Sequence, residues 1–87
     1  MTLSLPWPNP ARDSVRFLVE IPPGQQGNLG VFDLRGRRLR EFTLGTGSRL
    51  VEWDGRDQRG ARAPSGNYII RLEGSGQAVM RKVVLIH

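Results

Sequence analysis

The stretch S-V-R-F-L-V-E-I, residues 14–21, alternates between apolar and polar side chains over most of its length. Successive side chains of a β-strand point to opposite faces, so this alternation predicts a strand with one buried face. The predicted inward side chains are Val15, Phe17, Val19 and Ile21. The P-P-G that follows at residues 22–24 predicts a turn that ends the strand.

The same two-residue period recurs on both sides of this stretch, broken by Gly- and Pro-rich turns, and no window has a sustained helical period. Pro6 would confine the first strand to a sheet edge, and the irregular spacing of Leu39, Phe42 and Leu44 predicts a β-bulge. The predicted strands cover residues 3–7, 14–21, 29–34, 38–44, 50–53, 67–73 and 78–86. They predict an all-β fold, a seven-stranded antiparallel immunoglobulin-like β-sandwich.

The length of 87 residues indicates one domain that spans residues 1–87. There is no cysteine, so neither a disulfide nor a thiolate metal site can form. Met1 and Thr2 are interpreted as an added start, and we expect the domain to have been excised from the C-terminus of a larger protein. No run reaches the roughly 18 apolar residues of a membrane span.

The net charge of +5 comes from arginine, since Lys82 is the single lysine. A basic surface permits binding to nucleic acid, anionic polysaccharide or lipid. The arginines are scattered, however, and the one sequence cluster is Arg35, Arg37, Arg38 and Arg40. This distribution favours a solvated surface, and no nucleic-acid partner is predicted.

The segment V-E-W-D-G-R-D-Q-R-G, residues 51–60, is the strongest candidate for chemistry because it combines carboxylates, arginines and glycines. Positioned acid–base catalysis lacks a suitable group, because the only histidine, His87, is the last residue and chain ends fray. No enzyme activity and no cofactor are therefore predicted.

Calcium binding by Asp54 and Asp57 remains an alternative, although Arg56 and Arg59 would repel a cation. A phosphate-binding loop is disfavoured because no helix follows it. The favoured interpretation is a structural turn, in which aspartate side chains accept backbone N–H groups and Trp53 is buried. Its residues are Trp53, Asp54, Gly55 and Asp57, and the connection to residue 66 would cross between the sheets.

The aromatic side chains Phe17, Trp53 and Tyr68 occupy predicted inward positions. The pattern leaves the orientation of Trp7 and Phe32 open, and as an exposed pair they could stack on a sugar. A carbohydrate-binding accessory domain is therefore an alternative function.

Five segments together resemble a known superfamily: P-N-P at residues 8–10, V-F-D-L-R-G-R at 31–37, W-D-G-R-D at 53–57, S-G-N-Y at 65–68 and R-K-V-V-L-I at 81–86. In this order they resemble the immunoglobulin-like C-terminal sorting domains of type IX secretion substrates. They are equally similar to the immunoglobulin-like domain of the flagellar hook-capping protein. The positions that match the family motifs are Pro8, Asn9, Pro10, Asp33, Gly36, Arg37, Gly66 and Tyr68.

The resemblance implies a non-catalytic sorting and anchoring module of an exported bacterial protein, extracellular or at the cell surface. Its partner would be the outer-membrane secretion machinery, which would recognise the terminal strand; an exposed strand edge can also pair with another chain. The implied recognition residues are Lys82, Val83, Val84, Leu85 and Ile86. An adhesive or assembly module that self-associates through an edge strand is the alternative.

Overall fold

The computed structural model describes residues 1–86, and in this range all regular structure is β. The strands are β1 (Thr2–Leu3), β2 (Val15–Ile21), β3 (Gly27–Asp33), β4 (Arg38–Leu44), β5 (Gly47–Trp53), β6 (Gly66–Gly74) and β7 (Gln77–Leu85). They form two antiparallel sheets, with the orders β1-β2-β5 and β4-β3-β6-β7. The predicted seven-stranded antiparallel sandwich is confirmed.

The core lies between the two sheets and is made from alternate positions of the strands. In β2 the predicted inward residues Val15, Phe17, Val19 and Ile21 are buried, and the three intervening residues, Leu18 among them, are exposed. Trp53 and Phe17 are the largest fully buried side chains. The rings of Trp53 and Tyr68 meet edge to face across the core, with centroids 5.4 Å apart and planes at 65°. Such a pair adds about 0.5–1.5 kcal/mol to the free energy of burial.

The first strand is shorter than predicted. It ends at Leu3, because only one of the two bonds at the next pairing position joins main chain to main chain. The Ser4 N–H donates to the Leu18 carbonyl at 2.9 Å, but the Leu18 N–H donates to the Ser4 side-chain Oγ at 2.8 Å. Pro6 has no N–H to donate, so the ladder cannot continue through it. The chain returns to β2 only at Trp7, in a single bridge with Arg16. The prediction of a strand over residues 3–7 was therefore wrong in its extent.

Two details of the middle strands follow from the register. β5 begins at Gly47 rather than at the predicted residue 50, because Gly47 to Leu50 pair with the second half of β2. The predicted bulge is present in β4: Val31 faces Arg40 and Phe32 faces Arg38, which leaves Leu39 as the extra residue. The connection from β5 to β6 crosses between the sheets, as predicted.

The last hairpin turns through Ser75 and Gly76, which have φ values of 49° and 75°. Positive φ at both central residues is the mark of a type I′ turn, which suits the twist of a hairpin. β7 pairs with β6 over its whole length without a register shift. In the apolar run at its end, Val83 and Leu85 are buried and Val84 is half-buried.

Candidate functional site

β7 is an edge strand, but the far end of its open edge is covered by the segment at residues 9–11, here called the N-terminal clasp. Asn9 Oδ1 accepts the Val84 N–H at 2.9 Å, and Asn9 Nδ2 donates to the Lys82 carbonyl at 3.1 Å. Ala11 donates to the Val84 carbonyl at 2.8 Å, and its own carbonyl accepts the Ile86 N–H at 2.7 Å. The clasp therefore acts as a short extra strand.

The uncovered part of the β7 edge is residues 78–80. Val84 turns its N–H away from β6, and the two-residue period of a strand gives Ala78 and Met80 the same orientation. Within residues 1–86, no acceptor lies against the N–H of Ala78 or Met80. Their side chains are exposed as well. The Met80 carbonyl accepts a guanidinium N–H of Arg81 at 3.2 Å, so this part of β7 offers a partner strand chiefly the N–H groups of Ala78 and Met80.

The five residues predicted for recognition differ in what they offer to a partner. Val83 and Leu85 are core residues, and Val84 is half-buried under the clasp. Lys82 and Ile86 are exposed. Of the five residues, only these two have exposed side chains that a partner could contact while the clasp covers β7.

The segment at residues 53–57 is tied together by its own polar groups. Trp53 is buried, and its Nε1–H donates to the Arg56 carbonyl at 2.9 Å. Asp54 Oδ1 accepts the Arg56 N–H at 3.0 Å and a guanidinium N–H of Arg40 at 3.2 Å. Gly55 has φ +76°, and its carbonyl accepts the Ala63 N–H at 2.8 Å. These contacts join the start of the crossover to its end and to β4.

Asp57 begins a five-residue turn that occurs twice in the chain. In D-Q-R-G-A, Asp57 Oδ1 accepts the N–H groups of Arg59 and Ala61, both at 2.9 Å. In D-L-R-G-R, Asp33 Oδ1 accepts the N–H groups of Arg35 and Arg37, also at 2.9 Å.

The backbone bonds of the two turns agree as well. The aspartate carbonyl accepts the N–H of Gly36 at 3.1 Å in one turn and of Gly60 at 3.0 Å in the other. Both glycines have φ +87°, which glycine adopts at little cost. The repeated D-x-R-G is the sequence signal for this pair of turns, and sequence analysis missed that its two occurrences form the same structure.

The pKa of Asp33 is lowered from its ordinary value, chiefly by the backbone N–H of Arg37. The guanidinium of Arg37 adds to this effect, because its Nε lies 2.8 Å from Asp33 Oδ2. Partial burial of the carboxyl acts in the opposite direction. The carboxylate is thus held ionised by the turn that it organises.

Gln58 covers the other edge of the four-stranded sheet. Its N–H donates to the Leu39 carbonyl at 2.8 Å, and its side-chain Oε1 accepts the Glu41 N–H at 3.3 Å. Gln58 therefore protects β4 in the way that Asn9 protects β7. Sequence analysis missed both roles, because an edge-covering amide has no local signature.

Tyr68 lies at the start of β6, and its hydroxyl donates to the carbonyl of Pro64, four residues earlier. This contact matches the tyrosine corner of immunoglobulin-like domains. The pKa of Tyr68 is raised, first by burial and then by the charge of Asp33. Gly66, the other predicted family position here, is the first residue of the same strand.

Among the described residues, the structure brings together neither the ligands of a metal site nor the aromatic pair of a sugar-binding site. In the part of the chain that the structure describes, no three acidic or histidine side chains come close enough to hold a metal ion; His87 lies outside it. Trp7 lies on the outer side of the β1-β2-β5 sheet, whereas the half-buried Phe32 belongs to the other sheet. The predicted aromatic pair is not formed.

No helix among the described residues is long and apolar enough to cross a membrane.

These features define an immunoglobulin-like β-sandwich domain with both edges of its larger sheet partly covered. Residues 12–78 match the sequence profile of the FlgD Ig-like domain, and the chain belongs to that family. No curated protein matches the chain significantly. The resemblance drawn from the five segments is confirmed at the level of family and fold.

Two solved structures contain a similar domain. Dimeric latent PorU from Porphyromonas gingivalis matches 97% of the chain with a TM-score of 0.78 and 19% identity. PorZ, described as an essential surface component of the type IX secretion system of the same bacterium, matches 94% with a TM-score of 0.73 and 23% identity. The matched parts are only 9% of the PorU chain and 11% of the PorZ chain.

Proposed function

We propose that this domain is a non-catalytic sorting and anchoring module of an exported bacterial protein, located outside the cell or at its surface. The observation that carries the proposal is its likeness in fold, over nearly the whole chain, to parts of PorU and PorZ, the latter a surface component of type IX secretion. The outer-membrane secretion machinery would be the partner.

The terminal strand offers a physical route to this recognition. A partner strand could extend the four-stranded sheet at residues 78–80, where the edge is open, because main-chain hydrogen bonds tolerate many partner sequences. Pairing that continued to Val84 would require the clasp to leave. Lys82 and Ile86 would then supply side-chain contacts beside the backbone pairing.

The test is export of a folded reporter fused ahead of residues 1–87 in a type IX-competent host, measured in medium and surface fractions. Deleting residues 82–87 should abolish export. That deletion also removes buried side chains, so a second variant is needed: Ala78→Pro removes an outward N–H without breaking a bond to β6. Export should fall with Ala78→Pro and persist with Ala78→Ser. Undiminished export of both the deletion and Ala78→Pro would contradict the proposal.

An assembly module is the second candidate, and the open edge at Ala78 and Met80 favours it, since unpaired edges are templates for pairing between copies. Association that rises with concentration in analytical ultracentrifugation, and that Ala78→Pro removes, would support assembly. A strict monomer at high concentration would exclude it.

A further inference from the structure

The two D-x-R-G turns line the same cleft. The other residues of its lining belong to the segment that leads into β6 and to the start of that strand. The volume of the cleft is about 780 Å³, which lies in the range of ligand sites. Neither turn takes part in the β7 edge, so the cleft is a surface separate from the proposed sorting strand.

The cleft is strongly basic, although its arginines are dispersed in the sequence. The arginines that line it are Arg35, Arg37, Arg38, Arg59 and Arg62. The carboxylates that line it are only Asp33 and Asp57, and both accept backbone N–H groups of their own turns. The fold therefore concentrates positive charge while it uses the available negative charge for turn geometry.

Two of these arginines stand out because they have no carboxylate partner. Arg37 pairs with Asp33, Arg38 with Glu41 and Arg62 with Asp13. Neither Arg35 nor Arg59 pairs with an acidic side chain anywhere in residues 1–86. They occupy the same position, the third, in the two equivalent turns. Arg35 and Arg59 thus contribute two matched cations to the lining of the cleft, and neither is paired with a carboxylate within residues 1–86.

The other residues that line the cleft indicate which kind of anion would bind there. Leu34, 67% exposed, and Pro64 add apolar surface beside the arginines. The one aromatic residue of the cleft, Tyr68, is 4% exposed, so its ring cannot stack on a sugar or a base. Polysaccharide and nucleic acid are therefore poor matches for the cleft. An arginine guanidinium can instead bind a carboxylate through two parallel hydrogen bonds, and a leucine can contact an aliphatic side chain of the same ligand.

We propose that this cleft binds an acidic peptide segment, with carboxylates at Arg35 and Arg59 and an aliphatic side chain against Leu34. The partner is a protein segment that combines glutamate or aspartate with leucine-like residues. Complementary charge brings the segment to the cleft, and the apolar contact with Leu34 selects it over a purely acidic chain.

The experiment measures binding of a fluorescein-labelled peptide of alternating glutamate and leucine by anisotropy, to the whole chain at low and moderate salt. The double variant Arg35→Gln/Arg59→Gln should bind at least about tenfold more weakly, the scale expected when two charge-assisted contacts are lost. Arg49→Gln is the matched control, because Arg49 is exposed on β5 and outside the cleft. It should stay within about twofold of the parent protein.

Two further comparisons make the result decisive. The same peptide with glutamine in place of glutamate should not bind, and Leu34→Ser should weaken binding of the glutamate–leucine peptide with its fold intact by circular dichroism. The proposal is overturned if no peptide binds, if Arg49→Gln weakens binding as much as the double variant, or if heparin binds through Arg35 and Arg59 more tightly than the peptide does.

Discussion

Asn9 and Val84 are 75 positions apart in the chain, yet the side-chain Oδ1 of Asn9 accepts the Val84 N–H at 2.9 Å. The same amide donates to the Lys82 carbonyl, so one side chain satisfies two main-chain groups that the strand edge would otherwise expose. The clasp and β7 are thus coupled. Any partner that pairs with the covered part of β7 competes with residues 9–11.

Asn9→Ala should lower stability and expose the edge. The substitution leaves the Val84 N–H and the Lys82 carbonyl without their amide partner, which we expect to reduce the free energy of unfolding by about 1–2 kcal/mol. Urea unfolding measures the loss, and sedimentation should show more self-association than in the parent protein. Asn67→Ala, at an exposed position on β6, is the control and should leave both properties unchanged. Equal stability of the two variants would show that the clasp is not held by Asn9.

The pKa of Asp33 predicts a loss of stability in acid. It lies below the ordinary value of 3.8, chiefly because of the Arg37 N–H, so the ionised carboxylate is favoured by folding. The resulting stability is present above 3.8 and disappears as the pH falls through the lower pKa of the folded state. Urea unfolding across this range should show a flatter acid dependence for Asp33→Asn. Asn67→Ala, which changes an exposed position on β6 and removes no titratable group, should retain the acid dependence of the parent protein.

The features of this fold that the sequence predicts correctly are those that depend on neighbouring residues in the chain. Alternation placed β2 to within a residue and oriented Trp53 and Tyr68 correctly, because side-chain direction follows from the two-residue period. It overextended β1, because a serine hydroxyl replaced a backbone acceptor at residue 4.

The candidate sites were less predictable for the same reason. The N-terminal clasp on β7 joins residues at opposite ends of the chain, and the basic cleft joins the β3–β4 hairpin turn to a turn in the β5–β6 crossover. Such contacts depend on how the sheets are arranged, and no local pattern encodes that arrangement. The recurring D-x-R-G motif was the available signal for the cleft.

Tyr68→Phe should destabilise the domain by about 1–2 kcal/mol, because the Pro64 carbonyl loses its donor while the ring remains against Trp53. The raised pKa of Tyr68 adds a second readout. The unfolded chain ionises first as the pH rises above 10.0, so the parent protein should lose stability there and the variant should lose less. Urea unfolding at neutral and alkaline pH tests both effects, and ultraviolet titration of this single tyrosine should give a midpoint above the ordinary value. An unshifted midpoint would contradict the burial of the hydroxyl.

Gly55→Ala and Gly60→Ala should differ in cost although both glycines have positive φ. Each alanine must adopt a left-handed backbone, which costs about 1–2 kcal/mol. At Gly60 a new Cβ meets nothing within 4 Å, whereas at Gly55 it would lie 2.8 Å from the Asp13 carbonyl oxygen and 3.6 Å from a methyl carbon of Leu85. The backbone oxygen cannot rotate away as a side chain could, so Gly55→Ala should lower the midpoint of urea unfolding clearly more than Gly60→Ala. Equal losses would mean that the segment around Asp13 moves aside, and that the crossover is not packed rigidly against the chain that leads into β2.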